Sequence, residues 1–301
     1  MSLSARKLAA DPDFFPIVMS CIDALLEVYN ENARIASIFA SQQRWLMAHL
    51  GLALYYGLPG ENGTGLYSGR FIRACAKYDI ASRNTAASFL QEMQAYRFLR
   101  LVESNDARTR NLEPTEVATT YLGHWLRTHV SIADHITGKS RVERILGDAA
   151  AFAAIEAKIA ELILTSKTIR KVSPTFDLFN DANAGGAVMD YLMSRLADKD
   201  ISAKRIPIGR LSLSKICDQF LISNTNLKRL LKQSKEIGST GWMPEPDKNE
   251  LWLARSFVDE YLRYQAEKIV IVDTAANHVF ARFWPDSARQ RQARRSPLAL
   301  S

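Results

Sequence analysis

The run Arg83-Asn-Thr-Ala-Ala-Ser88 gathers four polar side chains within two helical turns. Arg83 is a planar donor, Asn84 offers a donor and an acceptor together, and Thr85 and Ser88 carry hydroxyls. That set suits the donor and acceptor patterns on base edges in a DNA major groove. A second cluster, Asn224, Thr225 and Asn226, has the same polar character and runs into Lys228, Arg229, Lys232 and Lys235. A lysine-rich stripe suits phosphate oxygens more than base edges, and an ordinary solvated face is the equally good alternative. Two further cations, Arg108 and Arg110, sit in the polar run Asn105-Asp-Ala-Arg-Thr-Arg110, between two apolar stretches.

These side chains need elements to aim them. Phe71 to Tyr78 places Ile72, Cys75 and Ala76 on one side, which suits a short helix. Asp79-Ile-Ala81 breaks the pattern, and Ser82 is a good N-cap for a helix from Arg83 to about Tyr96. That helix would bury Ala86, Phe89, Leu90 and Met93, leaving Arg83, Asn84, Thr85 and Ser88 outside. Phe98 to Val102 reads as a strand, 105–110 as a hairpin tip, and Pro114-Thr-Glu116 as the opening of a long helix to Thr137, stopped by Gly138. Helix, turn, helix and hairpin together make a winged helix-turn-helix.

Several short patterns here resemble the MarR family of bacterial transcription regulators. Cys75-Ala76, Ile80-Ala-Ser82 and Thr85-Ala-Ala-Ser88 fall where that family has Leu-Ala, Leu-x-Ser and Thr-Val-Ser. Asp106-Ala-Arg108, followed six residues later by Pro114-Thr115, matches its wing tip and following helix start. The resemblance implies that Arg108 enters a minor groove with Asp106 orienting it. It also implies a dimer surface built from the flanking helices, hence a homodimer, and a small aromatic effector; Trp45, Tyr55, Tyr56 and Trp125 are the aromatics that could line its pocket. Two departures stand out. Pro114 replaces a Leu, harmlessly at a helix start, and Arg97 stands where a turn Gly is usual. An Arg does not readily take the positive φ that such a turn needs.

The pattern recurs 141 residues on. Cys75 aligns with Ile216, Ile80 with Leu221, Ser82 with Ser223, Leu90 with Leu231, Asp106 with Asp247, Leu112 with Leu253 and Val117 with Val258. Arg97 aligns with Gly238. Leu211 to Ser223 reads as strand, helix and turn, 224–237 as a second recognition helix, and 239–253 as a second wing. Ser256 would cap a last helix to about Phe280. The second wing carries Asn249 in place of the Arg and adds Glu245, so its groove contacts should differ.

The expected fold class is therefore mainly α: tandem winged helix-turn-helix domains with small β-hairpin wings and long flanking helices, a pseudo-dimer in one chain. Residues 1–139 would hold the N-terminal helices and the first winged helix (core 66–116), and 140–283 the second (core 208–256). Residues 284–301, with four arginines from Arg289 to Arg295, read as a basic disordered tail. Between the helical segments, 171–186 reads as a loop rich in Asn, Pro and Gly.

The 301 residues carry a net charge of +7 and a 47% hydrophobic content, ample for a core. The excess is local. Residues 61–139 hold ten basic and eight acidic side chains, 201–268 twelve and eight, and 281–301 five and one. Double-stranded DNA is the expected partner, and a membrane is not. Cys21, Cys75 and Cys217 are odd in number and widely spaced, which suits free thiols in a cytoplasmic protein. No cofactor and no enzyme activity are expected. Gly63-x-Gly65-x-x-x-Gly69 has the wrong spacing for a dinucleotide turn. His124, His129 and His135 are spaced too unevenly to share a helix face and read as surface or dimer-contact residues. The expected function is promoter binding as a transcription regulator. A plasmid-type replication initiator and a winged-helix scaffold that binds only protein are the alternatives.

Overall fold

A computed structural model describes residues 3–31, 33, 36, 39, 41–102, 110–244 and 250–285, the side chain of Val28 excepted. Among them lie fourteen helices and two three-stranded antiparallel sheets. Asp106, Ala107 and Arg108 of the first expected wing tip, Glu245, Asp247 and Asn249 of the second, and the tail from Asp286 fall outside the described residues.

Two units of like topology organise the chain. In the first, β1 (Leu66–Tyr67) leads into α4 (Ser68–Lys77), α5 (Arg83–Ala95), β2 (Leu99–Val102) and β3 (Asn111–Pro114). In the second, β4 (Arg205–Arg210) leads into α12 (Leu213–Phe220), α13 (Asn224–Glu236), β5 (Thr240–Trp242) and β6 (Glu250–Ala254). In each sheet the last strand lies in the middle, with the first strand on one side and the second on the other. The first strand of each sheet was not foreseen where it lies. Leu66–Tyr67 is too short to show alternation, and β4 ends at Arg210, before the expected Leu211.

The spacing of 141 holds over the second helix of each unit, where α5 and α13 span matching positions. It holds on through the following turn into β2 and β5, and fails before the helix and beyond the hairpin tip. Leu101 pairs with Leu112, and Trp242 with Leu251. The equivalent of Leu112 is therefore Leu251, not Leu253, because the second hairpin is two residues shorter. Before the helix, the second unit has the shorter turn, with Ser223 following Phe220 by three residues. Leu221 is 50% exposed at φ 53°, and Ile222, at 3%, takes the buried place that Ile80 holds in the first unit.

The remaining helices form the scaffold. They are α1 (Ala5–Ala9), α2 (Phe14–Glu31), α3 (Gln42–Tyr56), α6 (Glu116–Thr137), α7 (Val142–Gly147), α8 (Ala149–Thr165), α9 (Lys167–Arg170), α10 (Pro174–Asp181), α11 (Gly185–Ser194) and α14 (Arg255–Phe283). Ser41 caps α3, and Gly138 at φ 62° ends α6 as expected. Helix α8 stops at Thr165, and Ser166, whose hydroxyl accepts the Ile169 amide, starts α9. Residues 174–181 are helical, not loop. Ser173 caps them, Pro174 fits the first turn, and Phe176 and Phe179 are buried, a pattern hidden by the surrounding Asn and Gly. The last helix starts at Arg255 with Ala254 at its N-cap, so Ser256 lies inside it.

One continuous apolar core joins both units. Helix α3 packs on α8 and α4, while α14 packs on α1, α6 and α8. Helix α2 packs on α11, crossing between the N- and C-terminal halves. None of the helices described is long and apolar enough to cross a membrane.

Candidate nucleic-acid interface

The helix α5 is held from below and open above. Ala86, Phe89, Leu90 and Met93 are buried, and Phe89 stacks on Phe71 of α4 at 6.1 Å. Arg83, Asn84, Thr85 and Ser88 are all exposed, as the sequence led us to expect. Ser82 Oγ accepts the Thr85 amide at 3.3 Å and lies 2.9 Å from Thr85 Oγ1. The turn before it is clamped from outside the unit. Gln43 Nε2 donates to the Ile80 carbonyl at 2.8 Å, and Arg170 Nη2 to the Asp79 carbonyl at 2.6 Å. The polar start of α5 is thus held in place by side chains from outside the unit.

The helix α13 repeats this arrangement. Ser223 Oγ accepts the Asn226 amide at 3.2 Å, and Leu227, Leu230 and Leu231 are buried. Asn224, Thr225, Lys228, Arg229 and Lys232 are exposed. Glu236 lies 3.9 Å from Lys232, a solvated pair that barely offsets the stripe. Asn226 is half-buried. It and Arg229 line a groove that α10 closes with Leu178 and Asp181. These two face a neighbouring helix as well as solvent, unlike their counterparts on α5.

Arg110 is exposed just before β3. Arg100 of β2 pairs with Glu113 across the hairpin, so part of that strand's charge is already neutralised. The second unit presents cations beyond the expected set. Lys204, Arg205, Arg210 and Lys215 are exposed around β4 and α12, with the Arg205 guanidinium 4.5 Å from the Trp252 ring centroid. For Arg205 the signal was the alternation of Arg205-Ile-Pro-Ile208, which puts Ile206 and Ile208 inside and Arg205 outside; Arg210 shares their parity and lies beyond the register shift between Pro207 and Gly209.

The glycine-rich loop before β1 is occupied internally. Arg70, 7% exposed, donates to the carbonyls of Leu54, Asn62, Gly63 and Gly65 at 3.2, 3.1, 2.7 and 2.7 Å. Its carbonyls thus face the protein's own guanidinium.

The histidines divide. His124 and His135 are exposed, but His129 is fully buried and stacked on Trp125 at 4.1 Å, which corrects the expectation of a surface residue. It sits one helical turn after Trp125 on α6, a spacing that put it on the core side. Burial holds its imidazole well below the ordinary range. Of the aromatics, Trp45 and Trp125 line a partly open cavity with His49, whereas Tyr55 and Tyr56 pair with each other at 5.2 Å and Tyr56 meets Phe152. All three cysteines are free; Cys21 and Cys75 are buried, and burial raises both thiols. Among the described residues no group of three His, Cys, Asp or Glu is placed to hold a metal ion. No protein-family model, curated protein or solved structure matches the chain.

Proposed function

We propose that this chain is a DNA-binding transcription regulator, its two βααββ units acting as tandem winged helix-turn-helix domains of MarR-like type. In each, the second helix would enter a major groove with its polar start toward the base edges. The observation that carries this reading is the pair of exposed, Ser-capped starts of α5 and α13 on units of the same topology. Two-fold DNA readers usually need two chains to span two half-sites. Here one chain carries both probes, which favours an asymmetric site. The α5 probe, with Arg83, Asn84, Thr85 and Ser88, would set sequence preference. The α13 probe, with Asn224, Thr225 and Asn226 ahead of Lys228, Arg229 and Lys232, would add phosphate affinity. Arg108 and Arg110 would extend contact from the first hairpin.

Selection of bound duplexes from random DNA tests the proposal. Enrichment of one asymmetric motif supports it. Recovery of no enriched sequence at low salt overturns it, and leaves the protein-binding scaffold as the better reading.

A further inference from the structure

A cavity of about 320 Å³, partly open to solvent, lies beside the first unit, bounded by α2, α3, α5, α6, α10, α11 and α14. It is at the lower end of the range for small-molecule sites, and about twice the size of an engineered core cavity that stays dry. Most of its wall is apolar, with Phe39, Trp45, Trp125 and Met189 among the large side chains.

Among the polar groups that interrupt that wall are Lys268, Asn180 and Asp190. Lys268 of α14 is 6% exposed, and its Nζ sits 5.8 Å from the Tyr264 ring centroid. Among the described residues no carboxylate comes within 4.0 Å of it. Asn180 of α10 is 7% exposed, and its Nδ2 has no acceptor among them. Asp190 of α11, half-buried, accepts one hydrogen bond from Tyr261 Oη at 2.6 Å, which leaves most of its acceptor capacity unused. Burial pushes Asp190 up to about 6 and Lys268 down, as expected for opposite charges held apart in apolar surroundings.

Buried polar groups normally find partners. Here two donors and one carboxylate line a single cavity without satisfying one another. A ligand carrying only a negative charge would meet Lys268 but leave the cavity with a net charge beside Asp190. One carrying only a positive charge would do the converse. A molecule bearing both charges leaves the cavity neutral and each buried group paired.

We propose that this cavity binds a short zwitterion with an apolar body, an aromatic or branched amino acid being the simplest such molecule. Its carboxylate lies on Lys268 and Asn180, its ammonium on Asp190, and its side chain among the aromatic residues. The proposal does not depend on DNA binding.

Titration calorimetry on the full chain, with L-phenylalanine, L-leucine, 3-phenylpropionate and 2-phenylethylamine as probes, tests it. Both amino acids should bind. The two half-molecules, each lacking one charge, should bind about tenfold more weakly or worse than L-phenylalanine. Lys268→Met and Asp190→Asn should each weaken L-phenylalanine by a similar factor. The comparison among probes uses the native chain, so it stands even if a variant misfolds. Binding of 3-phenylpropionate as tight as that of L-phenylalanine would show a plain anion site and overturn the proposal. So would the absence of binding by all four probes.

Discussion

Arg97 and Gly238 occupy the same turn in the two units, at φ 60° and 76°. Each follows its second helix, and each donates its amide to the carbonyl three residues back, Gln94 or Lys235, at 3.0 Å. The next residue closes the turn identically, Phe98 onto Met93 and Ser239 onto Ser234. The geometry that glycine takes freely is therefore imposed on an arginine. A non-glycine residue in this region carries about 1–2 kcal/mol of strain, of which the greater flexibility of unfolded glycine offsets part. Arg97→Gly should raise stability by about 0.5–1 kcal/mol in urea unfolding. Gly238→Ala should lower it by about 1 kcal/mol, since an added Cβ meets nothing within 4 Å and only the backbone is at issue. A loss of stability in Arg97→Gly, or no loss in Gly238→Ala, would show that the two turns are not equivalent.

A buried ion network ties α6 to α14. Arg141, 1% exposed, donates from Nε to Asp134 at 2.7 Å, from Nη2 to Asp273 at 2.8 Å and from Nη1 to Asn277 at 2.6 Å. Lys139 adds a second cation 3.2 Å from Asp273. Removing one partner strands the carboxylates left behind, so Arg141→Met should cost about 3–5 kcal/mol. Thermal unfolding of the two proteins reads this directly. A loss below about 1 kcal/mol would place the network among solvated surface pairs.

His129 gives the fold an acid-sensitive point. Burial holds its folded pKa well below the ordinary 6.5, so below that pH the unfolded chain takes up a proton that the folded chain does not. Its effect on stability is nil above the ordinary value and grows more adverse as pH falls below it. Asp190, raised to about 6 from 3.8, acts in the other direction, because its protonation in the folded state relieves a burial penalty as pH falls through about 6. The two are separated by His129→Phe, which keeps a ring against Trp125. Between pH 7.5 and 5.5 the native chain should lose more stability than the variant. Equal losses would remove His129 as the cause.

What the sequence revealed follows from how local each signal is. Ser82 and Ser223 with their apolar spacings marked α5 and α13 to within a residue, because caps and helical periodicity act over a few positions. The hairpin register was misjudged by two residues, since pairing Leu112 with Leu101 is a contact across the ladder that no local pattern fixes. Helix α10 was missed because Phe176 and Phe179 are buried by tertiary packing, while the Asn and Gly around them suggest a loop. His129, Lys268 and Asp190 carried no local mark. Their environment is made by helices distant in sequence, and only the assembled core shows which polar groups it leaves without partners.

The claim that one chain presents two DNA probes of different character is tested most directly by anisotropy titrations of a selected duplex across a range of salt concentrations. Binding should saturate at one chain per duplex, with log K falling linearly against log salt. Arg83→Ala should lose about 1–3 kcal/mol on the selected site and relax its sequence preference. Lys228→Ala and Lys232→Ala should weaken all duplexes alike and reduce the slope by about 1 each. Affinity that does not change with salt, or that none of these three substitutions alters, would contradict the account.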